Sequence, residues 1–237
     1  MRILGHDISV VEALIIVNVL IFMFTFLDVT AIYRPDGSQE CIRNKNPYLC
    51  YRTYGEKCCV YTWHEYNLAL AGSTIFEKPW TILTSMFLHS GFHHLLFNMI
   101  ALFFFGIYLG RIVGEKEFLK IYFIGGIAGG LLFIFTSLIV GISSPYTFAV
   151  GASGAIFAVG GALAILRPRM MVILFPIPFP MPLYMAVFGF MVLMSFLPGI
   201  AWQGHLGGLI VGALYGYRFK KKESLRGHFY GSYEYRY

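Results

Sequence analysis

Six apolar stretches, most of them close to twenty residues long, run through this chain at about 10–28, 92–113, 118–141, 150–166, 181–198 and 203–219. About twenty consecutive apolar residues are what a helix needs to cross a bilayer. Six of them in 237 residues leave too little polar sequence to wrap around them in water. Composition agrees: 57% of residues are hydrophobic and 13% charged, where a soluble domain carries about a quarter charged. In hydrocarbon each backbone amide must be satisfied within its own segment or a closed barrel. The reading is therefore an all-α polytopic membrane protein with six transmembrane helices.

The formal charge of +6 raises nucleic acid as a partner, but the basic residues form no continuous face interleaved with aromatics. They sit instead between apolar stretches: Arg2; Arg111, Lys116 and Lys120; Arg167 and Arg169; then Arg218, Lys220, Lys221, Lys222, Arg226 and Arg236. Lys and Arg collect in cytoplasmic loops, so both termini are expected in the cytoplasm of a multi-pass cell-membrane protein. Residues 10–27 follow Asp7 and contain Glu12, and no small-residue cleavage motif follows them, so they read as the first span and not as a cleaved signal.

Residues 1–219 are expected to form the membrane domain, with 29–87 as a long external loop between the first two helices. That loop holds Cys41, Cys50, Cys58 and Cys59. On the outside an even number of cysteines supports disulfides. Adjacent Cys58 and Cys59 make strained partners, so bridges to Cys41 and Cys50 are expected, with free thiols or a metal cluster as alternatives; no zinc-finger spacing is matched. The prolines of PIPFPMP (Pro176 to Pro182) exclude a helix there. Residues 220–237 read as a disordered tail whose basic start lies near anionic lipid.

Ionisable and polar side chains inside hydrocarbon need a protein or water partner. Few are present. His94 and Asn98, four apart, share one face of the second helix; Ser153 lies early in GASGAIFAVGGALAIL and His205 early in GHLGGLIVGALYG. Gly204, Gly208, Gly212 and Gly216 recur every fourth residue, and Gly151, Gly154 and Ala158 give the fourth helix a matching small surface. Small faces let helix backbones approach closely, which brings Ser153 and His205 into hydrogen-bonding range. An imidazole that accepts the hydroxyl proton turns a serine into a nucleophile, and the Ser153 backbone N–H with the Asn98 and His94 side chains supplies donors for an oxyanion. Together these make a hydrolase site of the acyl-transfer type.

These segments resemble the rhomboid family of intramembrane serine proteases. The resemblance rests on HxxxxHLxFN (His89, His94, Leu95, Phe97, Asn98), on GxSG (Gly151, Ser153, Gly154), and on a histidine followed by glycines at +3 and +7 (His205, Gly208, Gly212). LIIVNVLIF and WTILTSMFLH also look rhomboid-like, so the likeness spans most of 10–218. It implies a Ser153–His205 dyad without an acid, an acyl-enzyme intermediate, and transmembrane helices of other proteins as substrates, entering near the fifth helix at a site open to the outside. It implies His94 and Asn98 as oxyanion donors, His89 as structural, and no metal or organic cofactor. Two departures stand out: Phe157 where relatives often carry tyrosine, and Gly110 where many carry glutamate. Zinc and aspartyl intramembrane proteases fail on inventory. His89 and His93 enclose no glutamate, and the aspartates Asp7, Asp28 and Asp36 lie outside the helix centres. A non-catalytic relative that captures transmembrane segments is the alternative from another class.

Overall fold

The computed structural model describes residues 2–3, 6–27, 62–173, 179–190, 193, 197 and 199–231. The expected disulfide loop, with Cys41, Cys50, Cys58 and Cys59, lies outside the described residues. Helices dominate the rest: α1 (Val10–Phe26), α2 (Trp63–Leu68), α3 (Thr81–Thr84), α4 (Phe92–Val113), α5 (Glu115–Phe135), α6 (Ser153–Leu166) and α7 (Trp202–Gly231). A wide π-type segment, Thr136–Val140, extends α5. Two short antiparallel ladders join Arg2–Ile3 (β1) to His6–Asp7 (β2) and Met171–Val172 (β3) to Met181–Pro182 (β4).

Among the described residues, α4 (22 residues) and the continuous Glu115–Val140 helix (26 residues) are long and apolar enough to cross a membrane. Their outward faces suit lipid. Phe104, Leu131 and Ile139 are exposed, as are Phe24 on α1 and Leu214 on α7, and a contiguous apolar exterior of this kind is untenable in water. Glu12, at the start of α1, is not a buried charge. It closes a capping box with Ser9, accepting from the Ser9 N–H at 2.8 Å while the Glu12 N–H donates to Ser9 Oγ at 3.2 Å.

The bundle is organised around α6, most of whose residues are buried, from Ala155 through Val159 to Leu166. Its neighbours α4, α5 and α7 supply the walls, and Phe118, Ile121 and Tyr122 of α5 join Leu102 and Leu109 of α4 in the core. The closest approach is between glycine-bearing faces. A Cβ placed on Gly208 or Gly212 would overlap the carbonyl oxygen of Gly154 or Ala158, and one on Gly216 would lie 2.7 Å from the Ala162 oxygen. The sequence reading of this stripe therefore holds for α6 and α7. It missed a third partner: Gly125 and Gly129 of α5 sit equally tight against Ala158 and the Gly204 backbone, and Gly207 against Ala128.

Several expected boundaries move. α6 begins at Ser153 and not at 150, because Gly151 takes φ +127° and breaks the helix before it. In the expected fifth span, Met181–Pro182 pairs as a strand with Met171–Val172, consistent with the non-helical prolines; a π-type turn covers Met185–Gly189, and much of 191–198 lies outside the described residues. The sixth helix does not stop at 219. It continues to Gly231, so the expectation of a disordered tail fails from residue 220 to that point. The segment Phe219–Arg226 holds no proline, and six of its eight residues are Lys, Glu, Leu or Arg, good helix formers. Contacts back to the α6 end hold it: Lys220 Nζ donates to the Ile165 oxygen at 3.3 Å, and Arg167 pairs with Glu223 at 3.4 Å.

The described part of the expected external loop, residues 62–87, is folded against the bundle. Thr62 and Glu65 form a second capping box on α2. Thr84 Oγ1 donates to the Leu68 oxygen at 2.7 Å, and Lys78 Nζ donates to the Tyr66 oxygen while lying over the Tyr66 ring at 3.3 Å. Burial lowers the Lys78 pKa. Leu70 and Ala149 exchange backbone hydrogen bonds (3.1 and 2.8 Å), tying this segment to the strand-like entry of α6.

Candidate active site

The polar residues singled out from sequence are delivered by three helix beginnings. Ser153 is the first residue of α6, His205 lies in the first turn of α7, and His94 lies in the first turn of α4. The Gly151 N–H donates to the Ser85 carbonyl at 2.9 Å, so the folded loop segment fixes the positive-φ glycine two residues before the serine. Ser153 Oγ and His205 Nε2 are 2.8 Å apart. The hydroxyl hydrogen must point at Nε2 for that nitrogen to accept it, which leaves the hydrogen of the neutral ring on Nδ1. His205 Nδ1 is buried and has no hydrogen-bond partner among the described residues. Among the described residues no carboxylate orients the imidazole. Phe157 does so by stacking, with centroids 4.6 Å apart and planes 24° from parallel.

His94 approaches from the other side. A Cβ on Gly151 would lie 2.8 Å from His94 Nε2 and 3.7 Å from Ser153 Oγ, so the histidine and the serine face the same space and only glycine leaves it open. The Ser90 N–H donates to His94 Nδ1 at 3.4 Å, and Ser90 Oγ lies 3.1 Å from the same nitrogen. A backbone N–H only donates, so Nδ1 accepts and Nε2 carries the hydrogen, the tautomer that presents a donor toward Gly151 and Ser153. Ser90 was not anticipated from sequence; an i, i+4 serine–histidine pair at a helix entrance was the available signal. Asn98, one turn further along α4, is buried with its Nδ2 unpaired among the described residues. It makes no hydrogen bond to Ser153. His89 packs edge-on against His94, with centroids 5.1 Å apart. Among the described residues no three His, Cys, Asp or Glu side chains gather as metal ligands.

Beside the dyad is a cavity of about 50 Å³ lined by Ser85, Gly151, Ser153, Gly154, Gly204 and His205. A water needs only about 10–15 Å³ measured this way, provided polar partners are present. The serine, the imidazole and the Ser85 side chain supply them. Such a constellation suits attack by a hydroxyl on a carbonyl, with donors on the opposite side.

Residues 77–222 match the family model described as Rhomboid domain, more than half of the chain. The chain belongs to the rhomboid family. The family is helical, polytopic and membrane-embedded, and its members are mostly serine proteases. Relatives include Rhomboid protein 1, mitochondrial, of Saccharomyces cerevisiae, 29% identical over 78% of this chain and 60% of that protein. Rhomboid protease AarA of Providencia stuartii is 33% identical over 63% of this chain and 61% of its own length. Inactive RHOMBOID-like protein 8 of Arabidopsis thaliana is 38% identical over 40% of this chain. The chain thus spans about three fifths of the length of the yeast and Providencia rhomboids.

Proposed function

We propose that this rhomboid is an intramembrane serine endopeptidase that cleaves transmembrane segments of other proteins with a Ser153–His205 dyad. The observation that supports it most is the 2.8 Å Ser153–His205 contact within an apolar bundle. In the proposed cycle Ser153 Oγ attacks the peptide carbonyl while His205 Nε2 takes its proton. The oxyanion is held by the Ser153 N–H, His94 Nε2–H and Asn98 Nδ2. The imidazolium gives its proton to the leaving amine, and water, activated by the same nitrogen, clears the acyl-enzyme. Phe157 holds the ring by stacking on it.

Depth supports the same reading. The 14 residues of α6 reach about 21 Å at 1.5 Å per residue, against a hydrocarbon layer of about 30 Å. With Arg167 and Arg169 at one boundary, Ser153 stands roughly 10 Å inside the other. In this arrangement there are six spans, both termini are cytoplasmic, residues 29–87 are external and the dyad opens outward. Buried helical peptide bonds are internally satisfied, so substrates must unwind locally before they react.

The test is a fluorophosphonate reagent on the full chain in detergent, with adducts mapped by mass spectrometry and a labelled transmembrane peptide followed in parallel. We expect one adduct, on Ser153, and cleavage of the peptide. A protein that captures the peptide intact and resists the reagent would be a binding module, and the protease reading would fail.

Ser90 carries a subtler expectation. Ser90→Ala removes the 3.1 Å hydroxyl contact but keeps the backbone donor, so kcat should fall about threefold to tenfold, the value of one modest hydrogen bond, with KM unchanged. Only the longer backbone contact at 3.4 Å is left on Nδ1, so nitrogen-15 spectra of the histidines should show the Nδ1-protonated tautomer of His94 appearing beside the Nε2-protonated one. Ser90→Thr should restore both. An unchanged tautomer with lowered kcat would remove Ser90 from this role.

A further inference from the structure

At the end of the bundle far from Ser153, α4 runs into α5 through Gly114, and α7 passes alongside as its membrane part gives way to its basic extension. Between them is a cavity of about 490 Å³, within the size range of small-ligand sites. Its lining is in part apolar, with Ile112, Val113 and Phe219. The rest is largely charged, with Lys120, Arg218 and Lys222 beside Glu117 and Glu223.

The two acids are already engaged. Glu117 accepts from Lys120 Nζ at 2.7 Å, and Glu223 pairs with Arg167 at 3.4 Å, a residue outside the cavity lining. Arg218 and Lys222 pair with no acid among the described residues. They lie four apart on one helix, where like charges repel, and Arg218 is also near enough to Lys120 for the two charges to oppose each other. A folded chain that gathers cations at a cavity without matching acids is built for an anion. Topogenic charge alone explains basic residues at this end of the helices; it does not explain why two of them face a cavity whose carboxylates are already paired, Glu117 with Lys120 and Glu223 with Arg167.

The apolar part of the lining decides which anion. A free phosphate gains nothing from Val113 and Phe219. A phosphate carried on acyl chains does, because the lipid-facing surface of α7 continues from Leu214 and Tyr217 toward this opening. We propose that the cavity lined by Val113, Lys120, Arg218, Phe219 and Lys222 binds the phosphate headgroup of an anionic phospholipid, with Arg218 and Lys222 as its charge partners. This site is independent of the proteolytic reading. It is also more specific than a basic tail hovering over anionic lipid, since it assigns the contact to two of the several cations on α7.

The full chain in zwitterionic detergent is titrated with phosphatidylglycerol or phosphatidylcholine, and retained lipid is counted by native mass spectrometry. Phosphatidylglycerol should be retained in preference. Arg218→Gln/Lys222→Gln should weaken its retention about thirtyfold, in line with the attraction of two cations near a lipid surface. Lys116→Gln/Lys221→Gln removes the same charge from the same end of the bundle outside the cavity and should leave retention unchanged. Val113→Trp fills the apolar wall without altering charge and should also displace the lipid. Inorganic phosphate at equal concentration should not compete. Equal loss in the two double variants would mean diffuse surface charge, unaltered retention in Val113→Trp would mean the cavity is not used, and full competition by inorganic phosphate would mean a free-anion site. Each of those results overturns the proposal.

Discussion

Ser153→Ala is expected to lower kcat for cleavage of a labelled transmembrane peptide by a factor on the order of 10⁴ or more. The side chain lost carries the atom that forms the covalent bond; the Ser85 hydroxyl lines the same cavity but makes no hydrogen bond to His205, whose Nε2 partner is Ser153, and Ser90 Oγ is turned to His94 Nδ1. His205→Ala should cost a comparable factor, because a neutral hydroxyl is a weak nucleophile without its base. The informative measurement is the double variant in proteoliposomes. Groups that act as one unit are strongly non-additive, so Ser153→Ala/His205→Ala should be no slower than either single variant. Peptide binding should persist in all three, since the helix faces that bound it are intact. A further large loss on adding His205→Ala to Ser153→Ala would show the two side chains acting separately, and the dyad would have to be abandoned.

That prediction draws on residues visible in the sequence because helical periodicity is a local rule. Gly204, Gly208 and Gly212 fall on one face whatever the tertiary structure, as do His94 and Asn98. The chemistry of a serine and an imidazole marooned in apolar segments is equally local. What was not legible depends on contacts distant along the chain. Nothing near Gly151 announces that its N–H is held by the Ser85 carbonyl, or that residues 62–87 fold into two short helices clasped to Ala149. The α5 glycines were overlooked since GGIAGG carries no titratable group to draw attention, yet Gly129 lies against the Gly204 backbone. The extension of α7 to Gly231 is not legible locally, because what gives its charged turns something to grip is distant in sequence: the Arg167–Glu223 and Lys220–Ile165 contacts. Charged side chains end a membrane span; they do not end a helix.

Gly208→Ala and Gly204→Ala should have opposite signs although they make the same change four residues apart on one helix. In α7 alanine is favoured over glycine by up to about 1 kcal/mol of helix propensity. At Gly204 nothing opposes that gain, since a Cβ there has its nearest neighbour, the Gly129 oxygen, at 3.8 Å. At Gly208 the new methyl would overlap the Gly154 carbonyl. Backbone cannot rotate away as a side chain does, so α7 must move off α6, at a cost of about 3 kcal/mol, the upper end for overpacking. The net expectation is about 2 kcal/mol lost at Gly208, read as a lower Tm in detergent, and no loss at Gly204. The same displacement acts on the chemistry. Gly154 follows Ser153 and Gly208 lies one turn from His205, so separating these backbones lengthens the 2.8 Å contact. A misplacement of about 1 Å costs on the order of 10² in rate, and fluorophosphonate labelling of Ser153 should slow by about that factor in Gly208→Ala at temperatures where the protein remains folded. Equal stability in the two variants, or undiminished labelling in Gly208→Ala, would mean that the approach of these helices is not what holds serine and histidine together.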